Sequence, residues 1–241
     1  MRRLLIPAST AIVLAAAGCN AARSEEAGPP VDRSYAVGAF DQIEVAGPYE
    51  VTVATGSGPS VRASGPEKGI ERMVVEVEGS TLKIHPRKRQ GFSFGWSKDR
   101  KVMLQVTVPA LRGAEVAGSG DIRVDKVSGD HFEGGIAGSG GIRLGQVQVN
   151  SLSFGIAGSG SAVLGQGKAK RVEYEIAGSG DIDGGGLAAE QASVSIAGSG
   201  KVAANASATA DVDIAGSGDV RVTGGAKCNV SKAGSGDVHC S

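Results

Sequence analysis

The sequence has no excess of charge. Its 25 basic and 25 acidic residues cancel, so no global field draws the chain to nucleic acid or to anionic lipid. It lacks an apolar run of the roughly 20 residues that span a bilayer as a helix; the stretch from Leu4 to Ala17 falls short. Histidine is sparse, with only His85, His131 and His239. They are scattered, and no Ser-His-Asp order or nucleophile elbow accompanies them. No catalytic residue is assigned, and no enzymatic activity or cofactor is expected. Helical periodicity is also missing, so the fold must be sought among strands.

The first thing present is an export signal. Met1-Arg2-Arg3 precedes the apolar stretch, which ends in Ala16-Ala17-Gly18-Cys19. A basic start, a short apolar core and small residues before a cleavage point form a secretory signal. Small residues directly before Cys19 resemble a bacterial lipobox, with Ala16 where Leu is more usual. The resemblance implies a signal peptide over 1–18 and a Cys19 thiol carrying diacylglycerol. The partner at this end is then the membrane, through the lipid. Asn20 after the cysteine resembles signals that permit transfer to an outer membrane in a two-membrane cell. Residues 19–33, small, polar and Pro-containing, read as a flexible tether.

Glycine is abundant, at 39 of 241 residues, and its spacing is regular. Ala-Gly-Ser-Gly begins at Ala117, Ala137, Ala157, Ala177, Ala197, Ala215 and Ala233, at intervals of 20, 20, 20, 20, 18 and 18. A sustained period of this length marks a stacked solenoid. Val116, Ile136, Ile156, Ile176, Ile196, Ile214 and Lys232 precede the motif, and alternate positions before them are mostly apolar. After the motif Ile122, Ile142, Ala162, Ile182, Val202, Val220 and Val238 form another column. Period-two alternation buries one side of each strand. Each repeat therefore reads as strand, Gly-Ser-Gly corner, strand and a variable return. The corner serines, 119, 139, 159, 179, 199, 217 and 235, should stack into a hydroxyl ladder along the axis. Aromatics early, alanines late and the shorter final repeats predict a solenoid narrowing toward its C-terminus.

An open solenoid end is a row of unpaired strand edges. Cys228 and Cys240 occupy inward columns of the last coil, and an exported chain favours their pairing as a disulfide over a metal site, for which two thiols and His239 are incomplete. Residues 113–241 carry the repeat coils. Residues 34–112 lack the motif yet alternate similarly, and read as opening coils and hairpins of one domain spanning 34–241. Ile43, Val45, Val51 and Val53 suggest one hairpin; Val75, Val77, Leu82 and Ile84 suggest another, turning at Glu78-Gly79-Ser80-Thr81. Val102 to Val108 is a strand ended by Pro109, and Ala46-Gly47-Pro48-Tyr49 reads as a degenerate first corner.

The order Phe40-x-x-Ile43-x-Val45-x-Gly47, Gly79-x-x-Leu82-x-Ile84, Val106-Thr107-Val108-Pro109-x-Leu111 and then Gly-Ser-Gly-Asp corners such as Gly118 to Asp121 resembles the bacterial head GIN domain family. That resemblance implies an all-β fold, a right-handed parallel β-helix with about 18–20 residues per coil, in a cell-envelope protein labelled an adhesin.

Three constellations invite chemistry. Asp121, Asp181, Asp219 and Asp237 follow corners, but Gly141, Ser161 and Lys201 interrupt the column, which disfavours the six to eight oxygens of a calcium site; the aspartates read as turn residues bonding backbone N–H groups. Arg123, Arg143, Asp183 and Arg221 form an outward column that reads as solvated charge. Arg87, Lys88, Arg89, Phe92, Phe94, Trp96, Lys98, Arg100 and Lys101 combine cations with alternate aromatics, the composition of a contact surface for anionic glycan, lipid headgroups or protein. The function expected is a non-enzymatic envelope lipoprotein presenting a rigid solenoid for binding or adhesion to an envelope polysaccharide or protein surface. The alternatives are a scaffold that oligomerises through solenoid ends and a polysaccharide-active enzyme.

Overall fold

The computed structural model describes residues 28–87 and 102–241. They form one 16-stranded sheet wound on itself. Five long strands make the body: β9 (Asp121–Gly138), β10 (Gly141–Gly158), β11 (Ser161–Gly178), β12 (Asp181–Gly198) and β13 (Lys201–Gly216). Each lies parallel to the next in register, so Ile136, Ile156, Ile176, Ile196 and Ile214 stack in one buried column. The variable return is itself strand. In β10 the inward positions are Ile142, Leu144, Val147, Val149, Leu152, Phe154 and Ile156, and twice two consecutive residues face out, at 145–146 and 150–151. Those double outward steps bend the strand and give each coil three faces. We call them the post-corner face, the return face and the pre-corner face, in chain order.

The third bend is the Gly-Ser-Gly corner, and both glycines are required there. The first has positive φ, +131° at Gly138 and +128° at Gly158, a region that side-chain-bearing residues avoid. The second is buried on the coil before it: a Cβ on Gly160 would lie 2.5 Å from Ile136 Cγ2 and 2.8 Å from the Gly140 carbonyl oxygen. The serine between them is exposed. The ladder here is one of backbone and not of hydroxyls: the N–H groups of Ser139, Ser159 and Ser179 donate to the carbonyls of Gly118, Gly138 and Gly158 at 2.8–2.9 Å.

Inside, glycines make room for the largest side chains. A Cβ on Gly134 would overlap the Phe154 ring, and one on Gly184 the Tyr174 phenol. Phe132, Phe154 and Tyr174 fill β9 to β11, whereas Ala192, Ala204, Ala206 and Ala210 fill β12 and β13. The register shifts between Asp183 and Ala188 and between Ala189 and Gln191 place the two lost residues in the return face. The interior therefore shrinks toward the C-terminus as expected.

The front follows a different path from the sequence reading. β2 (Gln42–Ala46) and β3 (Glu50–Thr55) do not pair as a hairpin. β2 lies parallel to β8 (Gly113–Gly118), and β3 parallel to the start of β9. They are the two arms of a coil bent at Gly47-Pro48-Tyr49, the degenerate corner. Alternation alone reads the same in both cases, because the partner strand decides between coil and hairpin. The second hairpin is present: β5 (Met73–Glu78) runs antiparallel to β6 (Thr81–Pro86), with Gly79 at φ +61°. β6 and β7 (Met103–Val108) then stack outside β2 and β3, so the chain lays its outermost coil second and passes back across it to β8.

The N-terminal end is closed by antiparallel strands. β4 (Ser60–Pro66) pairs with β7, and β1 (Pro30–Tyr35) with β4 from Pro30–Pro66 onward. The folded body thus begins before residue 34, and residues 30–33 belong to β1 and not to a tether. The short helix α1 (Glu67–Glu71) buries Ile70 at this end. The C-terminal end is made by β14 (Asp219–Thr223), β15 (Lys227–Gly234) and β16 (Val238–Cys240). The Cys228–Cys240 disulfide closes this last coil, with Cα atoms 6.7 Å apart. Lys232 takes the column held by Val116 and then by isoleucines in the earlier coils, and its ammonium donates to the Gly236 carbonyl at 2.6 Å. A charge over an open coil end opposes edge-to-edge pairing with another chain.

Candidate functional site

The pre-corner face is where exposed chemistry concentrates. Its outward residues read, coil by coil, Gly113-Glu115-Ala117, Glu133-Gly135-Ala137, Ser153-Gly155-Ala157, Glu173-Glu175-Ala177, Ser193-Ser195-Ala197 and Asp211-Asp213-Ala215. Strand pairing puts them in register, so Glu115, Gly135, Gly155 and Glu175 follow one another along the axis. The alanines form a low ridge beside the corners. These positions hold six carboxylates and no Lys or Arg; Arg171 borders them, two residues before Glu173.

Where Gly135 and Gly155 meet, the sheet is bare. A trough of about 480 Å³ runs there, lined by Glu44, Glu115, Glu175 and Ser195 and by backbone and methyl groups of the alanine ridge. Neither glycine is demanded by the fold. A Cβ on Gly155 would meet nothing within 4 Å, and one on Gly135 only the Glu115 side chain at 3.6 Å. Both have ordinary strand φ. Glycine in a strand costs about 0.5–1 kcal/mol relative to alanine, and without a packing reason it marks close approach of a ligand or another backbone.

The carboxylates around the bare floor are open to a partner. Glu115, Glu133, Glu173 and Glu175 are exposed and have no ion pair among the described residues. Toward the N-terminal end this changes. Lys83 bridges Glu78 at 2.7 Å and Glu44 at 3.8 Å, and its hydrogen bond holds the Glu78 carboxyl below the usual range. His85 meets Glu76 at 3.0 Å; that hydrogen bond, then one to the Pro86 carbonyl, raises the imidazole above its ordinary value of 6.5. Burial pushes the Tyr49 phenol up to about 12, with Tyr35 adding to the shift.

The residues singled out from sequence are distributed differently. Cys19 and all of the basic-aromatic segment except Arg87 lie outside the described residues; Arg87 is exposed, and its N–H donates to the Arg72 carbonyl at 2.7 Å. Arg123, Arg143, Asp183 and Arg221 stand exposed on the post-corner face, where the Gly185 N–H donates to Asp183 at 3.3 Å. In the post-corner column Lys201 stands between Asp181 and Asp219, and the Asp237 N–H donates to the Asp219 carboxylate at 3.3 Å, the turn role expected. No group of three or more potential metal ligands gathers among the described residues. The trough itself escaped the sequence reading. Its only trace there is glycine at one outward position in two successive repeats, visible once the repeats are written in register.

The described residues contain no helix long and apolar enough to cross a membrane. No functionally curated protein matches the sequence. Solved structures do. A putative adhesin from Bacteroides fragilis NCTC 9343 superimposes with a TM-score of 0.80 at 22% identity, covering 88% of this chain and 97% of that one. A putative lipid binding protein from Parabacteroides distasonis ATCC 8503 gives 0.68 at 26% identity, covering 89% and 97%. A putative adhesin from the same organism gives 0.69 at 21% identity, covering 89% and 98%. The family described as putative auto-transporter adhesin, head GIN domain, matches residues 39–226, and this β-solenoid chain belongs to it.

Proposed function

We propose that the protein is a non-enzymatic envelope lipoprotein that holds a β-solenoid out for binding another surface. The observation that carries this reading is the pre-corner face. It is about 30 Å of in-register strand, at about 4.8 Å per coil, exposed, predominantly acidic and only shallowly indented. Flat, repetitive faces of this kind suit polymers and protein surfaces, whereas small-molecule sites are deep and enclosing. The adhesin description of the family points the same way. Anchoring is assigned to Cys19, which follows Ala16-Ala17-Gly18, so that a lipid at one end leaves the lateral faces free.

The test is accessibility of the protein to protease and antibody on intact and permeabilised cells, with Cys19→Ala as the anchoring control. Cleavage on intact cells, lost from the cell fraction in the variant, is the expected result. Protection until permeabilisation refutes surface binding and leaves a role inside the envelope.

A further inference from the structure

The reading above leaves the partner's chemistry open, and the following rests on it. We propose that the trough over Gly135 and Gly155 receives lysine or arginine side chains of an extended segment of a partner polypeptide. The floor is two bare glycines beside the methyl groups of Ala117, Ala137, Ala157 and Ala177, apolar and flat. Glu115 and Glu175 flank these glycines along the axis, Glu44 lines the trough beyond Glu115 with Lys83 at 3.8 Å, and Glu133 and Glu173 stand in the next outward column, on the side away from the corners. Glu115 and Glu175 are three coils apart, about 14 Å at 4.8 Å per coil. A basic side chain matches both properties at once, laying its methylene stem on apolar surface while its charged head stays at the wet rim.

Charge complementarity sets the sign of the partner. The outward positions in register with the trough, from Gly113 to Ala215, hold no basic side chain. Arg171 borders them two residues before Glu173, where it donates to the Gln191 side chain at 3.2 Å, and none of Glu115, Glu133, Glu173 and Glu175 is spent on an ion pair among the described residues. Openness sets its size. A compact cation on so shallow a surface would stay hydrated on one side and be screened by salt. A polypeptide adds contacts along the whole face, and interface cores of this kind are where a few basic or aromatic anchors dominate. The glycines let the partner's backbone or stems come closer than any other residue would permit, which accounts for their presence where the fold does not need them.

Gly155→Val is the test, because a Cβ there meets nothing within 4 Å and a β-branched residue suits a strand. The probe is a fluorescein-labelled peptide of about ten residues alternating Lys and Gly, which at about 3.4 Å per residue overspans the trough. Anisotropy at about 0.15 M salt, where loose attraction is screened, should show saturable binding, with no response to the matching Glu-Gly peptide. Gly155→Val, with unchanged circular dichroism and melting, should weaken it about tenfold, and Glu173→Gln with Glu175→Gln to a similar degree, as loss of a central anchor does. Absence of binding overturns the proposal. So does equal binding by wild type and Gly155→Val, which would mean general attraction to an acidic face. Displacement by spermine at equal charge concentration would also overturn it, in favour of a small polycation. A protein hidden on intact cells that still binds the peptide refutes the surface reading alone; an exposed one that does not bind refutes only this inference.

Discussion

Tyr174 lies wholly inside the solenoid, and its hydroxyl has no hydrogen-bond partner among the described residues. The ring runs from β11 toward the next coil, where Gly184 makes room for it; a Cβ there would approach Cζ to 2.8 Å. In the unfolded chain the hydroxyl is hydrated, so folding forfeits its hydrogen bonds to water at a cost of about 1–3 kcal/mol. Tyr174→Phe removes that cost and leaves a void the size of one oxygen atom, worth a few tenths at about 24 cal/mol per Å³. The variant should therefore be more stable by about 1–2 kcal/mol, raising Tm by roughly 2–8 °C in a chain of this size. Alkaline behaviour supplies a second readout. Burial, and then the neighbouring Asp183, raise the phenol above its ordinary value of 10.0. A proton held more tightly in the folded state makes stability full below that ordinary value and progressively lost as pH rises above it. The decline should be shallower in Tyr174→Phe. Denaturant unfolding with an unchanged m-value, at neutral and alkaline pH, measures both. A loss of more than about 1 kcal/mol would refute the reasoning, since it would mean the hydroxyl is satisfied, by a buried water for instance.

Three further outcomes follow from named contacts. Gly160→Ala should cost about 2 kcal/mol or more, since its methyl collides with Ile136 and the Gly140 carbonyl, while Gly155→Ala should be neutral or stabilising by about 0.5 kcal/mol; equal effects in thermal melts would discredit the corner account. Opening the Cys228–Cys240 bridge, which closes a separation of 12 residues, should remove about 3 kcal/mol from the terminal coil, seen as faster amide exchange in β14 to β16; unchanged exchange after reduction would count against it. His85 should titrate above 6.5 by NMR and fall back in Glu76→Gln. Because its folded value is raised, the pair's contribution of about 0.2–1 kcal/mol is fully present below the unfolded value and disappears as pH climbs through the folded one.

The body of the fold was legible because it repeats. A corner every 18–20 residues, with Ile or Val before all but the last and Ile, Val or Ala after it, leaves one way to bury every column at once. Ile136 beneath Ile156 beneath Ile176 follows directly from that arithmetic. The terminal disulfide was readable too, because Cys228 and Cys240 fall in inward columns of one coil. The front was not. Val45 and Val51 alternate as any half-buried strand does, and only pairing with Val116 and Ile122 shows that they bend around a corner instead of forming a hairpin. Pro30 to Arg33 looked like tether because β1 is an edge strand whose burial is slight.

The candidate site divides the same way. Sequence alone determined which residues face outward, because alternation fixes the side of every strand residue. It could not determine that Gly135 and Gly155 leave a bare floor while Gly140 and Gly160 are packed against the preceding coil. That difference depends on what lies within a few ångströms in the neighbouring coil, some 20 residues away in the chain, and only the stacked structure brings those atoms together.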